Sequence, residues 1–450
     1  MNSKKLIVPG KIITVDASDR VLTNTAVEIT DDKITGIFKP GEIDINKFDC
    51  EVFNYPGLVL IPGFIQTHVH LCQTLFRGLA DDLPLLEWLK KKIFPFENAH
   101  DKNSLRIAAK LGLNELISGG TTTLLDMGTL RNQEVVFEEM ISSGIRGFSG
   151  KCLIDENGIY PDFKESTEDE LKYERELAEE FHNSAEGRIK YGFAPRFVLS
   201  CSEKLMKETK AMMKDFPGSV FHTHSSENKD EVAEVRRRFN KENIEYFNSI
   251  EVLDDQTVLA HCIHLDDSEK QILKKNNVRV AHCPSANLKL ASGIANIPEY
   301  LKLGISVSIG ADGAPCNNNL SIFTEMRFAG LIQKPSHGAD AINAKTIFRL
   351  ATIDGAKALH LDDETGSVEV GKKADLVLLN LNSPTHSLSD DNNDIYSNIV
   401  YASNSSDVKS VMINGKFVVK DGGSLIFDEN DLVSEGKSEL KKLLNRIDKK

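Results

Sequence analysis

A repeated rhythm constrains this chain more than any other feature. Between Val59 and Gly313, a short β-rich run ending in polar or histidine residues is followed each time by a helix-patterned stretch. The runs are Val59–His70, Thr121–Gly128, Ile145–Asp155, Ile189–Phe197, Ser219–Ser225, Thr257–His264, Val278–Pro284 and Ile305–Asp312. Such alternation predicts parallel strands with helices outside them, and eight repeats predict an α/β fold of the (β/α)8 TIM barrel type. Between the first two runs, Leu105, Ala108, Ala109, Gly112, Leu113, Leu116 and Ile117 share one helical face. Ser104 is the expected N-cap of that helix and Gly119-Gly120 its stop. The charged stretch Glu165–Asn183 reads as a solvated outer helix.

The two ends of the chain look different. Residues 1–57 and 365–426 are short strand-and-turn segments with turn signals at Asp31-Asp32, Asn414-Gly415 and Asp421-Gly422. They are expected to form one small β-sandwich domain flanking the barrel of residues 58–364, with 427–450 a terminal helix or tail. A formal net charge of −13 excludes nucleic acid and anionic membranes as natural partners. The only basic end, Lys441-Lys442 to Lys449-Lys450, is too short to offset it. Seven scattered cysteines without a C-x-x-C pair predict reduced thiols, and Met1-Asn2-Ser3-Lys4-Lys5 leads into no apolar stretch. A cytoplasmic, soluble protein is expected.

The chemistry sits at the strand ends. In Thr67-His68-Val69-His70 the i and i+2 side chains share a face, so both imidazoles can reach one ion. Taken alone, the pair reads equally well as two polar residues at a strand end. The later runs decide between these, reading His222-Thr223-His224-Ser225-Ser226-Glu227, His261-Cys262-Ile263-His264, His282-Cys283-Pro284 and Ala311-Asp312-Gly313. Seven of 12 histidines fall on four of these five strand ends, the rim where barrel active sites are built. Three His and one Asp suit Zn²⁺, with Fe²⁺ an alternative. His222 reads as a core or supporting histidine, His264 as a loop cap, and Arg236-Arg237-Arg238 as a solvated helix face offset by Asp230, Glu231 and Glu234.

These motifs, with Pro62-Gly63-Phe64-Ile65 before them and Gly366–Leu376 after, resemble the deaminase and chlorohydrolase branch of the amidohydrolase superfamily. That branch contains 5′-deoxyadenosine, methylthioadenosine/S-adenosylhomocysteine and guanine deaminases and triazine hydrolases. The resemblance implies a single metal held by His68, His70, His224 and Asp312. It also implies a catalytic pair, Glu227 and His261, with Asp312 helping to move a proton to departing ammonia. No lysine ends Tyr191–Pro195, so a carboxylated-lysine bridge to a second metal is not expected. Retention of the whole set argues against a non-catalytic scaffold.

The substrate signals diverge. Gly78–Leu89 through Pro95-Phe96-Glu97 resembles the lid of adenosine-type deaminases, in which the residue matching Glu97 holds ribose hydroxyls. Gln73 and Arg196-Phe197 resemble guanine deaminase, where the matching residues grip an oxopurine. Lys151 is the one candidate for holding the carboxylate of S-adenosylhomocysteine, so a smaller neutral 5′ group is expected. Trp88 could cover a bound ring or form a packing or subunit surface with Leu85, Leu86 and Leu89, and His282 ends a strand at the same rim. The expectation is hydrolytic deamination of an adenine nucleoside such as 5′-deoxyadenosine or 5′-methylthioadenosine. Guanine, another oxopurine or pterin, or a triazine are the alternatives, and the resemblance adds a homo-oligomer.

Overall fold

The computed structural model describes residues 3–39, 42, 50–389 and 395–448. Eight parallel strands carry the rhythm: β1 (Phe64–His70), β2 (Thr121–Asp126), β3 (Arg146–Ser149), β4 (Ile189–Pro195), β5 (Val220–Ser225), β6 (Thr257–His261), β7 (Arg279–His282) and β8 (Ser306–Ile309). They hydrogen-bond in chain order, and the sheet curls back on itself, because Asp312 and Gly313, just past β8, pair with Val69 and His70 of β1. All seven residues of β1 are buried, as expected of a parallel strand covered on both faces. The third run is broken rather than continuous, with Cys152–Leu153 pairing separately to Ala194 and Pro195. Gly150 lies in the break, where a Cβ would meet the Gly192 carbonyl oxygen at 1.9 Å. Only glycine lets the two strands approach there.

Two helices depart from expectation. The helix Lys102–Ser118 is capped by Asp101, not Ser104. Asp101 accepts from the Ser104 amide at 2.9 Å, and Ser104 Oγ accepts from the Asp101 amide at 3.0 Å. The two form a capping box, and the carboxylate has the added advantage of facing the positive end of the helix. The charged helix Thr167–Phe181 is not a fully solvated face. Glu170, Glu174, Leu177, Ala178 and Phe181 form a buried stripe at helical spacing, so two glutamates occupy core positions. Glu170 pairs with the buried Lys151 at 2.5 Å.

Strands from both ends of the chain join one further nine-stranded sheet. Lys4–Ile13 runs parallel to Glu51–Pro62, which pairs antiparallel with Leu376–Leu379, and this in turn with Val408–Ile413. The hairpin to Lys416–Lys420 turns at Asn414 and Gly415, whose φ values of 50° and 74° are those of a tight two-residue turn. Side-chain alternation divides the sheet's duties. Leu60, Leu376, Leu378 and Met412 build its own core, while Val59, Ile61, Val377, Leu379, Val411 and Ile413 face the core of the curled sheet. The terminal helix Glu429–Ile447 docks on Lys102–Ser118 by burying Leu432 and Leu443 among Phe76, Phe96, Ile107 and Ala108. Burial of each leucine stabilises the contact by about 1.5–3 kcal/mol. Lys449-Lys450 lies outside the described residues.

Candidate active site

β1 delivers His68 and His70, β5 delivers His224, and the turn after β8 delivers Asp312. One ligand atom from each of the four lies within 4.8 Å of the others. Asp312 Oδ1 is 3.3 Å from His68 Nε2 and 3.2 Å from His70 Nε2, and the Nε2 atoms of His70 and His224 are 3.2 Å apart. Two of the three imidazoles are aimed by their other nitrogen. His224 Nδ1 donates to the Arg196 carbonyl at 2.7 Å, which leaves the Nε2 lone pair free. His68 Nδ1 meets His222 Nε2 at 2.9 Å, so His222 supports a cluster member from behind. Burial pushes His68 down to about 4 and His224 well below its ordinary value, so both are neutral. Burial alone would push Asp312 up, but its close contacts with the rings of His68 and His70 hold it well below the carboxylate range. His68 Nε2 is buried and has no hydrogen-bond partner within the protein. Three imidazole nitrogens and a carboxylate converging around an orphaned atom make a donor set that fits a divalent zinc-type ion.

Beside the cluster stand Glu227 and His261, with Glu227 Oε2 3.6 Å from His261 Nε2. His261 lies 4.0 Å from Asp312 Oδ2 and pairs through Nδ1 with Asn287 Oδ1 at 2.8 Å. The Asn287 oxygen can only accept, so Nδ1 carries the proton and Nε2 faces the pocket. Ser292 Oγ reaches Glu227 Oε1 at 3.4 Å. Burial pushes Glu227 up to about 7, against the pull of His261 and with help from Asp312 and Glu231. Burial lowers His261, but the carboxylates of Glu227 and Asp312 outweigh it and raise the imidazole. Asn287, Ser292 and Glu231 were not singled out as site residues from sequence. Asn287 and Ser292 lie in the segment that follows β7, where nothing local says what they touch.

The cavity above the cluster is lined by His70, Gln73, Trp88, Arg196, Phe197, His224, Glu227, His261 and Asp312, with Leu85, Leu89, Glu231 and Leu290. Glu97 does not line it but stands behind, taking Arg196 Nη1 at 2.8 Å, Arg196 Nη2 at 3.3 Å and Gln73 Nε2 at 2.7 Å. The three residues expected to grip substrate therefore grip one another. Gln73 Oε1 is left buried without a partner. The lid, Leu85–Trp88, Leu89–Ile93 and Phe94–Asn98, turns Leu85, Trp88 and Leu89 inward, so these side chains offer no exposed subunit surface. Lys151 is committed to Glu170 and the Leu130 carbonyl and does not line the pocket. His282 is fully buried outside the lining with both ring nitrogens unpartnered, and His264 bonds the Ser292 carbonyl at 2.7 Å. Arg236 pairs with Glu242, and Arg237 and Arg238 pair with Glu234, whereas Glu231 is buried at the pocket.

A model of the amidohydrolase family matches residues 59–418. The chain belongs to the amidohydrolase family. It is similar to the 5-methylthioadenosine/S-adenosylhomocysteine deaminase of Thermoanaerobacter pseudethanolicus, at 35% identity over 98% of this chain and 99% of that one. It is also similar to the 5′-deoxyadenosine deaminase of Methanothermobacter thermautotrophicus, at 35% identity over 95% of this chain and 96% of the other. Among solved structures, an adenosine deaminase from Xanthomonas campestris with bound zinc superposes with a TM-score of 0.91 at 26% identity, covering 98% of this chain and 99% of that one. This amidohydrolase is thus a hydrolase acting on C–N bonds, with a His-His-His-Asp cluster as its candidate metal site. Among the described residues no helix is long and apolar enough to cross a membrane.

Proposed function

We propose that this amidohydrolase removes the amino group of an adenine nucleoside such as 5′-deoxyadenosine or 5′-methylthioadenosine and releases ammonia. The reading rests on one observation above all, the convergence of Glu227 and His261 on the open side of the ligand cluster. We assign His68, His70, His224 and Asp312 to a single zinc ion, with iron the alternative. When bound, such an ion supplies the positive charge that makes water a nucleophile near neutral pH. Glu227, held near pH 7 by burial, can take a proton from the attacking water and return it to a ring nitrogen. His261, fixed by Asn287, orients the attacking oxygen through Nε2, and Asp312 Oδ2 is placed to pass a proton to the leaving amine. Phe197 and Trp88 cover the ring, and Gln73 Oε1 is the free acceptor left at the pocket wall. We read the curled sheet as a closed (β/α)8 barrel and residues 1–57 with 365–426 as a separate β domain, supported by the Asp312–Val69 pairing and the distinct core around Leu60.

One observation favours a second reading, deamination of an oxopurine or pterin. Arg196 presents a guanidinium at the wall, and this group only donates, which suits a ring carbonyl. A panel of adenine nucleosides, guanine, pterins and chlorotriazines, assayed for ammonia or chloride with the zinc-loaded enzyme, separates the readings. We expect turnover of the nucleosides. We also expect Glu227→Gln to keep its metal while losing about 100-fold or more in kcat. Guanine turnover without nucleoside turnover would replace the first reading with the second.

A further inference from the structure

The helix Glu429–Ile447 lies outside the curled sheet, yet its last turn is bonded to the lid. Arg446 Nε donates to the Ala99 carbonyl at 2.7 Å, Nη1 to Asp101 Oδ2 at 2.9 Å and Nη2 to Ser104 Oγ at 3.0 Å. All three guanidinium nitrogens are used, which fixes the fork in one orientation that a lysine cannot reproduce. Ala99 is the C-cap of the lid helix Phe94–Asn98, so its carbonyl is one of the groups a helix end leaves unbonded, and a cation there is favoured. Glu97 lies two residues earlier.

The same junction reaches the pocket by a second route. His100 Nε2 donates to the Cys72 carbonyl at 2.8 Å, and its Nδ1 accepts from Ser104 Oγ at 3.0 Å. Burial keeps this imidazole neutral, pushing it down to about 4. Cys72 precedes Gln73, and Gln73 donates to Glu97. Glu97, Gln73, Cys72, His100 and Ala99 therefore form a closed circuit. Phe96 packs on Phe76 at 5.0 Å in the same cluster as Leu432 and Leu443 of the terminal helix.

We propose that Arg446 is a positioning residue for the pocket. From outside, it fixes the junction of residues 99–104, and so sets where the lid holds Glu97, Gln73 and Arg196. Removing it loosens the wall that closes over the ligand while leaving Glu227, His261 and the ligand cluster in place.

The test uses the full chain and its single tryptophan, Trp88, which sits in the lid. Acrylamide quenching of Trp88 reports lid opening, and Arg446→Ala, Arg446→Lys and Leu443→Ala are compared with Arg237→Ala, a surface control. Arg446→Ala should quench faster and raise KM about fivefold with kcat changed less than about twofold, the scale of a few hydrogen bonds to a partly exposed charge. Leu443→Ala should move in the same direction, and Arg446→Lys should fall between wild type and alanine. Quenching in Arg446→Ala and Leu443→Ala no faster than in Arg237→Ala overturns the proposal, and so does a loosened lid with unchanged KM. The kinetic arm rests on the deaminase reading. If wild type turns over no nucleoside, that reading fails, and the quenching arm still judges the brace.

Discussion

Glu97→Leu should destabilise the protein more than Glu97→Leu combined with Arg196→Met. The Arg196 and Glu97 side chains are 4% and 1% exposed, and two guanidinium nitrogens meet both carboxylate oxygens. Taking both charges out of water is costly, and their mutual attraction offsets that cost only while both are present. Removing one partner of such a pair typically costs about 3–5 kcal/mol. Two features place this pair at the lower end. Arg196 borders the pocket, where water can reach a widowed guanidinium, and the Phe94 ring lies 5.0 Å from it. With about 2.1 cal/mol/K of unfolding entropy per residue over 450 residues, or roughly 0.9 kcal/mol/K, a loss of about 3 kcal/mol lowers Tm by about 3 °C. The double variant replaces the ion pair with apolar groups of similar bulk and should recover at least half of that loss. Thermal melts at one fixed zinc concentration measure it, because bound metal itself shifts Tm. A Glu97→Leu melt within about 1 °C of wild type, or strictly additive effects in the double-mutant cycle, would refute the reasoning.

A pH effect follows from the second buried cluster. Burial, reinforced by Glu170, raises the Glu174 carboxyl well above its ordinary 4.5. The folded state then keeps a proton that the unfolded chain releases, so wild type loses stability as pH climbs above that value. Glu174→Gln removes this titration, and its Tm should gain on wild type steadily between about pH 5 and pH 8, while parallel curves would contradict the assignment. At the active site, Asn287→Ala frees His261 Nδ1 and should lower kcat about 10- to 100-fold with zinc content unchanged; an unaltered kcat would remove Asn287 from the positioning role.

The His-His-His-Asp cluster is legible in the sequence because parallel strands put chemistry at their C-terminal ends and because His-x-His on one strand needs no tertiary knowledge. His68, His70, His224 and Asp312 meet where that logic places them. What escaped the sequence depends on partners distant in the chain. Lys151 reads as a free cation, yet the buried face of Thr167–Phe181 supplies Glu170 to hold it. The charges of Glu170 and Glu174 hid a helical stripe that would have been plain had they been leucines. Glu97, Gln73 and Arg196 each suggested a substrate contact, but only the fold brings them close enough to satisfy one another. Asp101 and Ser104 both favour a helix start, and choosing between them needed the two backbone bonds of the capping box.

The division of labour between two carboxylates in one cavity follows from how the strands end. Asp312 has φ of 62°, a left-handed conformation that costs about 1 kcal/mol or more and is held by pairing with Val69 and by the Gly313 amide on Oδ1 at 2.8 Å. That conformation turns Oδ1 onto two imidazoles, and the carboxyl stays ionised. Glu227 emerges after Ser226, also left-handed at φ 52°, into a pocket where Ser292 and His261 are its side-chain neighbours and burial dominates. Its carboxyl can hold a proton near neutral pH. Pushing two like groups apart in this way leaves one an anion at rest and the other able to carry a proton near neutral pH, which is what the proposed deamination requires. Here the separation comes from backbone geometry at the ends of β5 and β8, so a substitution that relaxed either turn would disturb the proton chemistry without touching either carboxylate.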